Sequence, residues 1–305
     1  MGSLALLALA QAAGAAGLSP HFKGRFGSVE IYDSQAKLSF RVNPPRLTQP
    51  LPVCAAANLA IVVAALKHGT LKPEASERQW DAARYPAAAE WPQRWQGPQT
   101  LESALRYGTP WYFEQLKTEV GSAGLAQQLR LQKLKYSGDD SVAWRGSVLD
   151  QVDWLKSLRS NGTGLNASAQ AALLKALERG KLDGRTLYGV GARCAQDDGY
   201  WLGWQIGWVE KPGGPVFYAL NAEGKDRADL AGQARRITRG ALAEMKFFPV
   251  DPQDVPAPAI DPAVAGLANA PPQTTAPVNA PGVLPSALAP TTNEPVRAGA
   301  LTPER

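Results

Sequence analysis

In the stretch PLPVCAAANLAIVVAALKHG, residues 50–69, every position from 54 to 66 is apolar except Asn58. A surface helix shows a stripe of apolar residues; a helix apolar on all sides has to be wrapped by other elements on all sides. Pro50 and Pro52 break regular structure before the run, and Gly69 supplies a left-handed stop after it. The chain must therefore build a layered domain around a central helix. Cys54 stands at the head of that helix, where the helix dipole favours a thiolate, so this residue type at this place raises the question of a nucleophile.

The elements around the helix follow from changes of period. FGSVEIYD and KLSFRV are short alternating runs separated by SQA and predict an antiparallel hairpin. Residues 70–100 are irregular, with Trp80, Trp91 and Trp95 placed to pin loops to the core. Helical periodicity marks TLESALRYG, with Thr100 followed by Glu102 and Ser103 as a rough helix start, then WYFEQLKTEVG and AGLAQQLRLQKL. SVLDQVDWLKSLRS places Val148, Val152, Leu155 and Leu158 on one face, and NASAQAALLKALERG predicts a helix with Asn166 or Ser168 at its head and Gly180 just past its end. RTLYGVGARC, YWLGWQIGWVEK and PVFYALN then read as strands, the last two joined by PGG. ADLAGQARRITRGALAEM closes the domain as a helix with Leu230, Ala234, Ile237, Ala241 and Met245 inward. Two strands, a helical middle, three strands and a last helix make an α+β domain whose first and last strands must pair across the chain.

Both ends differ from this middle. Residues 1–17, MGSLALLALAQAAGAAG, form a short apolar run followed by small residues and predict an export signal without the usual basic start. Residues 18–250 hold the domain. Residues 251–305 are dense in Pro and Ala with no aromatic residue, a composition that cannot build a packed core and predicts a disordered tail. No other run reaches the ~20 apolar residues that span a bilayer. The net charge of +5 comes from 32 basic and 27 acidic residues scattered together, which argues against nucleic acid. Two cysteines and two histidines far apart in sequence, Cys54, Cys194, His21 and His68, argue against a zinc site, and no cofactor motif is present. In an exported chain a disulfide between the two cysteines is chemically permitted.

This order of elements, with the strings HFK, GSVEIYD, VNPPR, the proline two before Cys54, RQWDAARYP, TLESALRY, PWYFEQL and GWQIGWVEK followed by VFYALN, resembles the class D serine β-lactamases and the related penicillin-binding sensor domains. The likeness runs from about residue 21 to residue 248. It implies a β-lactamase/transpeptidase-like fold: an antiparallel five-stranded sheet flanked by helices, with an inserted helical region. In that family a serine opening the central helix is acylated and the lysine of the same Ser-x-x-Lys pattern, usually carbamylated, is the base. Counted from the proline, those two positions carry Cys54 and Ala57; counted back from Gly69, they carry Ala55 and Asn58. The Ser-x-Val serine corresponds to Gly108, followed by Thr109 and Pro110; Tyr-Gly-Asn corresponds to Tyr136, Ser137 and Gly138; Lys-Thr-Gly corresponds to Val190, Gly191 and Ala192. Arg235, with Arg236 beside it, matches the arginine that receives the β-lactam carboxylate, and Trp144 matches the tryptophan that packs on the catalytic lysine.

Turnover needs a base and oxyanion donors as well as a nucleophile. Neither register supplies a lysine, histidine or carboxylate, and His68 lies ~20 Å down the helix at 1.5 Å per residue. The resemblance without its motifs therefore implies a non-catalytic, exported, periplasmic protein that binds or scaffolds in the cell envelope, with a β-lactam, a peptidoglycan fragment or a protein as partner. Two alternatives stand beside it: a penicillin-binding domain acylated at Cys54, and a weak β-lactamase with an atypical base. The family fold runs the strand carrying Cys194 alongside the helix head, which implies a Cys54–Cys194 disulfide stapling the cleft.

Overall fold

The computed structural model describes residues 18–88, 91–131, 144–196, 198–225 and 227–249, all within the unit Met1–Val255. The leader 1–17, the tail 251–305 and the Tyr136, Ser137 and Gly138 positions lie outside the described residues. Strands β1 (Gly27–Asp33) and β2 (Leu38–Val42) form the first hairpin, and the two-residue β3 (Leu51–Pro52) leads through a 3-10 turn (Cys54–Ala57) into α1 (Asn58–His68). Then come α2 (Leu101–Tyr107), α3 (Pro110–Leu131), β4 (Arg145–Gly146), α4 (Val148–Arg159) and α5 (Ala167–Leu177). Strands β5 (Glu178–Leu182), β6 (Arg185–Ala195), β7 (Trp201–Glu210) and β8 (Val216–Gly224) and helix α6 (Arg227–Glu244) complete the domain.

The sheet is antiparallel, in the order β2-β1-β8-β7-β6-β5. Val29 sits between Val42 on β2 and Leu220 on β8, so the first and last strands pair as the pattern requires. The sheet has six strands where five were expected, and α5 stops at Leu177 rather than running to just before Gly180. The physical reason lies in Asp183 and Gly184, both with positive φ, which form the tight turn of a β5–β6 hairpin. Residues 178–182 are drawn out of the helix to pair with β6. The two helices expected over residues 111–134 are the two halves of α3, which meet at a kink at Gly121 with φ 74° and ψ 157°.

Alternation along the strands splits the core into two layers. On one face Val190, Ala192, Leu202, Trp204, Ile206 and Trp208 pack toward α1, whose residues 59–66 are all buried. On the other face Leu187, Val209, Val216, Tyr218 and Leu220 pack toward Ala234, Ile237, Ala241 and Leu242 of α6. The Tyr218 ring lies across two glycines: a Cβ at Gly207 would sit 2.5 Å from its hydroxyl and 2.0 Å from Tyr188 O, and one at Gly189 2.5 Å from the same hydroxyl. That hydroxyl donates to Tyr188 O at 2.8 Å. Burial pushes the Tyr218 phenol up to about 12.

Two helix starts follow side chains read from sequence: Thr100 caps α2 with Ser103 returning the bond, and Asn166, not Ser168, caps α5 through Ala169 N. At α4 the structure adds a capping box of Ser147 and Asp150. Among the described residues no helix is long and apolar enough to cross a membrane.

Candidate functional site

The head of the central helix is held from one flank by three backbone anchors. Leu51 and Pro52 pair with Gly146 and Arg145, Val53 N donates to Trp144 O at 2.8 Å, and Trp204 Nε1 donates to Pro52 O at 2.8 Å. These fix where residues 54–58 point. Cys54 takes φ 53°, a left-handed conformation that costs a non-glycine residue roughly 1–2 kcal/mol. Its sulfur lies 3.6 Å from Pro52 O and 3.9 Å from Leu202 O.

Cys54 and Cys194 are joined by a disulfide across 5.4 Å between Cα atoms. That span lies inside the range a disulfide tolerates. The bridge ties the helix head to β6, and it removes the thiol: a bridged sulfur has no proton to lose and no lone thiolate to attack an acyl carbon.

The rest of the head has two faces. Ala55 and Asn58, three residues apart, are the partly exposed positions among otherwise buried residues 53–66. Val53, Ala56, Ala57 and Ala60 face the other way and, with Trp144, Arg145, Gln151 and Trp154, close a cavity of about 20 Å³. Such a volume accommodates about one water-sized group. Of the two registers read from sequence, the one from the proline puts Ala57 on the cavity beside Trp144, and the one from Gly69 puts Ala55 and Asn58 on the accessible face. Neither face carries an ionisable group on the helix.

The remaining sequence-derived positions fall around this head in ways their residue types explain. Gly108 is the left-handed stop of α2, with φ 66° and its N–H on Ala104 O at 2.8 Å. The hydroxyl of the next residue, Thr109, is fully buried and donates to Gln99 Oε1 at 3.2 Å, so it is committed to the core. Val190 is buried among the residues facing α1, where a lysine would have to bury its charge. Arg235 is exposed on α6, which packs on the face of the sheet opposite the helix head. Trp201 is partly exposed, whereas Trp204 and Trp208 are core residues, Trp208 stacked on Tyr188 at 4.8 Å.

Sequence reasoning overlooked Gln151 and Trp154, both buried and both on the cavity wall. The signal was present: Gln151 falls three residues after Val148 on the inward stripe of α4, and a polar residue on such a stripe marks a place where the core is not purely apolar. Among the described residues no group of acids, histidines and cysteines could hold a metal ion.

Comparison with known proteins agrees with this geometry. The penicillin binding protein transpeptidase domain matches residues 59–188, beginning directly after the helix head. The methicillin resistance mecR1 protein of Staphylococcus aureus is 24% identical over 243 residues, covering 76% of this chain and 40% of its own length. The chain thus spans about two fifths of that relative. The β-lactamase OXA-20 of Pseudomonas aeruginosa is 27% identical over 203 residues, covering 61% of this chain and 69% of its own length. The solved C-terminal domain of the Bacillus licheniformis BlaR penicillin-receptor superposes with a TM-score of 0.70 at 24% identity, covering 76% of this chain and 96% of that one. Residues 59–188 thus match a penicillin binding protein transpeptidase domain, and the chain is similar to the penicillin-receptor sensor domains and to the class D β-lactamases, with which it shares its fold.

Proposed function

We propose that this domain binds without catalysing: an exported, periplasmic member of the family that recognises a β-lactam, or a peptidoglycan fragment of similar acyl-peptide shape, and neither keeps it as an acyl-enzyme nor hydrolyses it. The observation that carries this reading is the helix head. The sulfur at its first position is consumed in the Cys54–Cys194 bridge, and the positions around it are Ala55, Ala56, Ala57 and Asn58. An acyl transfer needs a nucleophile and a group to take its proton, and losing such a unit costs on the order of 10⁶ in rate, or ~8 kcal/mol of barrier. An alanine-lined head supplies neither. The likeness to the BlaR penicillin-receptor of Bacillus licheniformis supports a β-lactam as the class of ligand.

The test uses purified full-length protein under non-reducing conditions. Intact mass after incubation with a fluorescent penicillin should show no covalent adduct, and nitrocefin should not be hydrolysed above buffer, while calorimetry or saturation-transfer NMR detects reversible benzylpenicillin binding. An adduct abolished by Cys54→Ala would replace this reading with the acylated alternative, and turnover of nitrocefin would replace it with the weak-hydrolase alternative.

A further inference from the structure

The cavity beside Trp144 has walls of opposite character. The helix head supplies Val53, Ala56, Ala57 and Ala60, all apolar, and α4 supplies Gln151 and Trp154, each with a polar group. Gln151 is 3% exposed and Trp154 5% exposed, so both lie out of bulk water. The Gln151 backbone N–H is spent on Ser147 O at the start of α4, but among the described residues neither its side-chain amide nor the Trp154 indole N–H has a hydrogen-bond partner. Gly146 keeps room for the amide: a Cβ there would sit 2.9 Å from Gln151 Nε2 and 3.2 Å from Val53 Cγ1. Buried polar groups left unpaired are costly, and a small cavity lined by them recovers their bonds through a bound water.

We infer that this cavity is a site for one neutral hydroxyl group, filled by a single long-lived water held between Gln151 and Trp154. The hydrogen-bonding groups on its lining select that class of ligand. Trp154 brings an N–H donor only, and the Gln151 amide brings either a donor or an acceptor to the same point. A hydroxyl oxygen accepts from Trp154 Nε1 and then either accepts from Gln151 Nε2 or donates to Gln151 Oε1. A cation finds no carboxylate among the lining residues and meets an N–H that repels it. An anion would shed its hydration beside the lining's one cation, Arg145, which is exposed and donates to Pro50 O at 3.1 Å. The volume of about 20 Å³ admits one such group and no larger molecule. Ala57, the position that corresponds to the lysine of Ser-x-x-Lys, is part of the wall, so a neutral water stands where that pattern would send a charged side chain. The water site is independent of the ligand proposed above, because Ala55 and Asn58 of the accessible face are not on its lining.

The experiment is water–protein NMR on the oxidised full-length protein labelled with ¹⁵N and ¹³C. Magnetisation from water should reach the methyl groups of Val53, Ala57 and Ala60 and the Trp154 indole N–H, with nuclear and rotating-frame Overhauser effects of opposite sign, the signature of a water that stays bound through molecular tumbling. Gln151→Leu keeps the volume and removes the amide, and it should abolish the methyl cross-peaks. Ala57→Ser leaves α4 untouched and brings a hydroxyl of its own into the space, so it should abolish them too while the Trp154 indole N–H shift stays where it was. Sodium formate and methylammonium chloride, as anionic and cationic probes, should change neither the cross-peaks nor that shift. Absence of the cross-peaks in the parent protein, with the methyl and indole resonances assigned, overturns the inference. Persistence of the cross-peaks in both variants overturns it as well, and so does their displacement by formate or by methylammonium.

Discussion

Replacing both bridge residues, C54A/C194A, should destabilise the domain by about 3–5 kcal/mol, and the number follows from where the bridge lies in the chain. The two cysteines are 140 residues apart. In the chain-entropy account a cross-link removes −2.1 − 1.5R ln n cal/mol/K from the unfolded ensemble, which for this loop is ~5 kcal/mol at 25 °C. Residual structure in the denatured chain and relief of the native geometry bring the expectation down to the lower part of that range. The effect acts on the unfolded state, so the native sheet should survive, and the slope of stability against urea should rise because the unbridged chain expands further. The measurement is equilibrium urea unfolding followed by tryptophan fluorescence, comparing the oxidised protein with the double variant. A third protein isolates the backbone. Because Cys54 has φ 53°, C54G/C194A should recover about 1 kcal/mol relative to C54A/C194A, glycine being free of the left-handed penalty that alanine retains. A loss below ~1 kcal/mol in C54A/C194A, with the parent shown to be fully oxidised, would refute the loop-entropy reasoning.

Gly207→Ala should cost more than 3 kcal/mol or abolish folding, since its new Cβ meets backbone at 2.0 Å as well as the Tyr218 hydroxyl, and thermal melting by circular dichroism reads this directly. Arg46 is buried, donates to Asn221 Oδ1 at 2.9 Å and pairs with Glu223, so Arg46→Ala should lose about 3–5 kcal/mol in urea by leaving the acid and the amide oxygen without it. Burial raises both Tyr112 and Tyr218 to about 12, above the ~10 of an unfolded tyrosine. Between pH 10 and 12 the unfolded chain therefore releases protons that the folded chain retains, and stability should fall as pH rises through that window, by on the order of 2–3 kcal/mol per tyrosine. Urea midpoints at pH 9 and pH 11.5 check it, and Tyr218→Phe should flatten part of the fall.

Much of the fold could be read from pattern because its signals are local. Alternating apolar residues gave β1, β2 and β7, the PGG turn gave the β7–β8 hairpin, and the all-apolar run gave a helix that is indeed buried through residues 59–66. The missed strand β5 is instructive. Glu178 and Arg179 continue the propensity of an Ala- and Leu-rich helix up to Gly180, and the helix ends three residues before that glycine because β6 offers backbone partners from the other side of the turn. The Asp183-Gly184 dipeptide was the available warning, since it is among the strongest short-range hairpin signals and directly precedes β6.

The site was legible to the level of residue types and no further, and the helix head shows why. Counting from the proline and counting from Gly69 give registers one residue apart, and both are sound as sequence arguments. The structure accounts for the discrepancy: residues 54–57 form a 3-10 turn, not α-helix, and Cys54 lies in the left-handed region, so the path between proline and helix follows no α-helical count. A 3-10 turn advances ~2 Å and 120° per residue against 1.5 Å and 100° in an α-helix, so four such residues displace the faces by most of a residue. Three directions then leave the head: Cys54 toward β6, Ala55 and Asn58 toward the accessible face, and Ala56 and Ala57 toward the cavity beside Trp144. In a catalytic relative the nucleophile and its base must converge on one acyl carbon. Here the sulfur points into a cross-link and the small residues line the other two directions, so restoring chemistry would take more than replacing one side chain. A lysine at 57 would meet a cavity that holds about one water-sized group, and it would still face no nucleophile while Cys54 remains bonded to Cys194.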